Sequence, residues 1–136
     1  MIICDTHCDT LYMRALQPNK TPCVTMDAMK KGGMSLQTCT LYAGNQGMAG
    51  HPYDKAMAEY HAFEHLRDAE GWERVNSPLE AEDGKVKILL SVEGGELFAG
   101  DLNKLAEFDD SARLRMIALT WNYENEIGHP AKGGST

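Results

Sequence analysis

Apolar runs and helix-period stretches alternate along this chain. The opening Met1-Ile2-Ile3-Cys4 predicts a strand over residues 1–6. Thr25 or Asp27 then caps a short helix that stops at Gly32-Gly33, and Leu36, Thr38, Thr40 and Tyr42 mark a second strand from Met34 to Tyr42. Residues 43–51 read as a Gly-rich loop. Pro52 begins the clearest helix, running to about Trp72, with Tyr53, Ala56, Met57, Tyr60, Phe63 and Leu66 at helical spacing. Its stripe turns Met57, Tyr60 and Phe63 inward and leaves Glu59, Arg67 and Asp68 to water. A polar connector from Glu73 to Gly84 leads to a third strand, Lys87 to Glu93, whose near-continuous apolar run suits burial on both faces and ends at Gly94-Gly95. Asp101 or Asn103 caps a helix to about Asp109, Met116 to Thr120 forms a fourth strand, and the last sixteen residues read as loop. Strands alternating with helices predict an α/β fold with a parallel sheet, whose chemistry belongs at the carboxyl ends of the strands.

At 136 residues with 43% hydrophobic content, the chain is one domain able to bury a core. Its net charge of -7 argues against nucleic acid or an anionic membrane as partner, since both require a basic surface. No run approaches the ~18 apolar residues of a membrane span, and no signal-peptide pattern opens the chain, so a cytoplasmic location is expected. Cys4, Cys8, Cys23 and Cys39 contain no C-x-x-C pair and read as reduced thiols. Strand geometry points Cys8 away from its neighbours His7 and Asp9, into packing.

Those neighbours are the first chemical signal. His7 and Asp9, two residues apart, project to one side where the first strand gives way to loop, and Glu93 closes the third strand. Trp121 and Asn122 follow the fourth. One metal ion could take the imidazole and the carboxylates. A competing pattern, His61-Ala62-Phe63-Glu64-His65, fits H-x-x-E-H, in which two histidines one helical turn apart bind zinc. Here the apolar stripe already supplies that helix's buried face, which places both histidines on a solvated border.

The motifs resemble the membrane (renal) dipeptidase family of zinc metallopeptidases. Asp5-Thr6-His7-Cys8-Asp9-Thr10 is similar to its first-strand motif, and Met29 to Gln37 to its first helix and second strand. Ser91-Val92-Glu93-Gly94-Gly95 resembles its third-strand Glu-Gly-Gly, and Arg115 to Asn122 its fourth strand. The resemblance implies the amino-terminal half of a (β/α)8 TIM-type barrel, about four parallel strands with outer helices over residues 1–136, because the whole barrel typically needs ~250 residues. It implies two zinc ions, one bound by His7 and Asp9 and bridged to the second by Glu93, the catalytic carboxylate. Such a pair, ~3.5–4 Å apart, generates hydroxide at neutral pH and polarises the carbonyl of a dipeptide substrate, with a D-residue tolerated at the carboxyl side. The family's other metal histidines, its substrate arginine and a catalytic aspartate come from later strands, leaving His129 as the one later histidine here. Trp121 stands where some members carry a substrate-contacting histidine, which bears on substrate preference. A half barrel is expected to pair with its missing half or another copy; the rival readings are a non-catalytic metal-binding half-barrel and the H-x-x-E-H protease.

Overall fold

The computed structural model describes residues 1–42 and 51–129. The Gly-rich loop at 43–50 and the end of the terminal loop fall outside them. In chain order the elements are β1 (Cys4–Asp5), α1 (Thr10–Leu16), α2 (Met26–Lys31), β2 (Leu36–Tyr42), α3 (Pro52–Asp68), β3 (Glu73–Arg74), β4 (Lys87–Glu93), α4 (Leu102–Ala112) and β5 (Ile117–Ala118). All strand pairs are parallel. The sheet runs β1-β2-β4, and the far edge of β4 is shared between β3 at its start and β5 at its end.

The pleat divides β2 and β4 into two faces. Cys39 and Leu41 of β2, with Ile88, Leu90 and Val92 of β4, join Leu11 of α1, Met29 of α2, Tyr60, Phe63 and Leu66 of α3 and Phe108 of α4 in one buried cluster. The alternate residues form the inner face of a half barrel: Leu36, Thr38, Thr40 and Tyr42 beside Leu89, Ser91 and Glu93. At its amino end, Leu36 and Leu89 pack against Val75 and Ala81 of the connector before β4. The inner face becomes polar toward the carboxyl ends. This is the arrangement of a half (β/α)8 barrel with its helices outside.

Several elements differ from the sequence expectation. The first strand is shorter, Cys4–Asp5, the two residues that pair with β2; Met1 and Ile2 remain exposed. Helix α1 follows Asp9 directly and, at seven residues, is too short for its mostly apolar sequence to show a helical period. The connector contains the two-residue strand β3, whose polar Glu73 and Arg74 pair with Lys87 and Ile88. The Thr25 hydroxyl caps α2 at Ala28 N–H, and Asp101 caps α4 at Asn103 N–H. Helix α3 stops at Asp68, where Gly71 turns at φ 70° and Trp72 N–H bonds back to Leu66 O at 3.0 Å. One correction affects function. Glu59, expected in water, is fully buried on α3, since its position falls on the same stripe as Ala56, Tyr60 and Phe63.

Candidate metal centre

His7 and Asp9 lie in the turn between β1 and α1. The Asp5 carboxylate accepts His7 N–H at 3.1 Å, shaping that turn. Asp9 occupies the N-cap position of α1 without capping it through its side chain, so its carboxylate stays available. Cys8 points the other way, as expected: it is buried with its Sγ 3.9 Å from Cys39 Sγ. That contact and burial push the Cys39 thiol up, which keeps it protonated.

Glu93 reaches the same place from β4. Register sets Tyr42 opposite Glu93 and Thr40 opposite Ser91. Immediately beyond, Gly94 turns at φ 98°, a backbone that a side chain would strain, and Gly94 and Gly95 N–H bond to Ala118 O and Leu119 O at 2.9 Å each. A Cβ on Gly95 would collide with Ile127 and stand 3.1 Å from Leu119 O. The two glycines therefore let the chain turn at once and leave Glu93 at the strand end.

His7 Nε2 lies 3.2 Å from Asp9 Oδ1 and 3.9 Å from Glu93 Oε2. Among the described residues these three form the one group of His, Cys, Asp or Glu able to share an ion, with ligand atoms within 4.8 Å of one another. Ligand atoms ~2.0–2.2 Å from a tetrahedral zinc stand about 3.3–3.6 Å apart, so small side-chain rotations bring the group to bonding distance. Burial raises the Glu93 carboxyl above its ordinary range; His7 opposes the rise, and Asp9 and Glu96 add to it. A cation would relieve that clustering of acids. An imidazole with two carboxylates suits zinc and also admits other divalent metals.

A layer beneath orients the imidazole. Thr40 Oγ1 is 3.3 Å from His7 Nδ1 and 2.9 Å from Ser91 Oγ, both hydroxyls buried. With Nε2 on a cation, Nδ1–H donates to Thr40, whose own proton is free for Ser91. The Gln37 amide donates to His7 O at 3.3 Å. Neither hydroxyl stood out in the sequence, since Thr and Ser on alternating strand positions have no signature of their own; the shared inner face with Glu93 was the available signal.

Trp121, half-buried, stacks its ring edgewise against Tyr42 at 4.8 Å and near Tyr123 at 5.5 Å, while Tyr12 lies 5.5 Å from Tyr42. Asn122 is exposed beside it. An aromatic rim thus adjoins the acidic group. His129 is exposed and lies 3.2 Å from Glu124. His61 and His65 are exposed on α3; His65 is 3.7 Å from Glu70, and Glu64 pairs with Arg67 at 2.8 Å. Both histidines face water, and His65 borders a surface groove with Arg14 and Lys20.

No curated protein matches. Among six matching solved chains is the crystal structure of an amidohydrolase from Pseudomonas aeruginosa, at 19% identity and a TM-score of 0.60, covering 76% of this chain and 31% of that one. The likeness places the fold as the amino-terminal half of a (β/α)8 barrel, and the chain spans about a third of that relative's length. The family model described as membrane dipeptidase, peptidase family M19, matches residues 1–134. With that match across nearly its whole length, this chain belongs to the membrane dipeptidase family.

Proposed function

We propose that this chain is the amino-terminal part of a zinc-dependent dipeptidase, acting on a dipeptide together with residues from the remainder of the barrel. The observation that carries the reading is the convergence of His7, Asp9 and Glu93 at the carboxyl end of a parallel sheet in a chain of this family. His7 and Asp9 would hold zinc, and Glu93 would supply the further carboxylate donor from β4. When bound, a pair of zinc ions supplies a water deprotonated at neutral pH and polarises the peptide carbonyl.

The chain's own residues do the rest. Thr40 fixes the imidazole plane, so His7 offers one nitrogen in one direction. The partly buried Glu93 carboxylate concentrates negative charge where cations belong. Trp121 and Tyr42 wall one side of the site with apolar ring surface, where a substrate side chain is held away from water, and Asn122 offers its amide at the open edge.

The test uses the natural full-length protein. Metal analysis should find bound zinc, chelation should abolish dipeptide cleavage, and zinc should restore it. Glu93→Gln should lower turnover by more than the ~100-fold typical of losing an outer-shell partner, with a smaller change in substrate affinity. Near-normal turnover of Glu93→Gln with its metal retained would remove Glu93 from the mechanism.

A further inference from the structure

Beneath the metal centre lies a buried acid that the proposed chemistry does not use. Glu59 on α3 has no exposed surface, and its Oε2 accepts the backbone N–H of Tyr42 at 2.7 Å. Its other oxygen, Oε1, is buried with no hydrogen-bond partner among the described residues. An acid costs several kcal/mol to bury, so its place needs a reason.

Backbone geometry provides one. In a strand, alternate amides point to the same neighbour. Thr40 N–H bonds to Cys8 O at 3.1 Å, which puts the β1 side of β2 at Thr40 and again at Tyr42. At Tyr42, however, the first segment has already left the sheet, since it turns through His7-Cys8-Asp9 into α1. There the Tyr42 amide donates to a side chain instead of to a strand. The Glu59 carboxyl reaches across from α3 and takes the place of the missing strand.

We propose that Glu59 is a positioning residue for the metal centre: by holding the Tyr42 amide it keeps the last residue of β2 in register with Glu93 and its ring against Trp121. The proposal rests on the metal-centre reading above. Two contacts make the linkage direct. Tyr42 is the ladder partner of Glu93, so a frayed β2 end removes the neighbour that fixes the rim of β4. Tyr42 also carries the ring that Trp121 and Tyr12 pack against. Desolvation pushes the Glu59 carboxyl up to about 9, with the Asp9 charge adding to the rise while the Tyr42 N–H and Lys55 oppose it. Burial disfavours the charged form, and glutamine keeps an acceptor oxygen at the same reach.

The test compares Glu59→Gln and Glu59→Met with wild type in the full-length protein, reading amide hydrogen exchange at Tyr42 and zinc affinity by chelator competition. Glu59→Gln should keep both. Glu59→Met, similar in volume but without an acceptor, should speed Tyr42 exchange and weaken zinc binding by about 10–100-fold, the size expected of an outer-shell loss. If Glu59→Met does not fold, Glu59→Asp, which withdraws the acid by one methylene, takes its place with the same expectation. Wild-type protection of Tyr42, or wild-type zinc affinity, in the variant lacking the clamp would overturn the proposal. Slow Tyr42 exchange that depends on Glu59 in a wild-type protein that binds no zinc would uphold the clamp and sink the metal-centre reading, so the two failures separate.

Discussion

Asp9 and Glu93 are the acids that a strand-end reading could select, because each stands where an apolar run stops and its side chain has no structural duty. Thr40 could not be selected that way. Its importance comes from lying 3.3 Å from His7 Nδ1 with Ser91 behind it at 2.9 Å, a contact that exists only once β1 and β2 are paired. Thr40→Val keeps the shape and removes the acceptor, so zinc affinity in the full-length protein should fall about 10–100-fold while the fold is retained. Equilibrium competition with a chelator reads this. An unchanged affinity would show that Thr40 does not orient the imidazole. Glu59 escaped notice for a related reason: its position is on the buried stripe, but its type is polar, and a hydrophobic pattern assigns such a residue to water.

At the scale of elements, β4 and α4 were legible because they carry strong local signals, a near-continuous apolar run before two glycines and an Asp cap. β3 was not. Two polar residues become strand only because the edge of β4 is open to them, and that is a property of the sheet. Helix α1 is seven residues long, about two turns, which is too short to show a clear apolar stripe even though Asp9 stands at its cap position. α3 was legible and its H-x-x-E-H sequence was a distraction. Its buried face is taken by Ala56, Tyr60, Phe63 and Leu66, which pack on the sheet, and this turns His61 and His65 outward. Replacing both histidines by alanine should leave zinc content and turnover of the full-length protein unchanged. A loss of zinc from that double variant would bring the helix-borne site back.

At the scale of the molecule, a parallel half barrel gathers its strand ends on one rim. That is why a histidine and an aspartate near the start of the chain meet a glutamate more than eighty residues later, with the order of strands β1-β2-β4 placing β2 between them. β2 supplies no ligand of its own to this group. It supplies the spacer and the support, through Thr40 to His7 and through Tyr42 to Glu93. Zinc titration by calorimetry on the full-length protein, comparing wild type with His7→Ala and Asp9→Ala, tests that design most directly. The account predicts that each variant loses one bound ion or weakens it beyond detection while the fold survives; the same stoichiometry and affinity in both variants would contradict it.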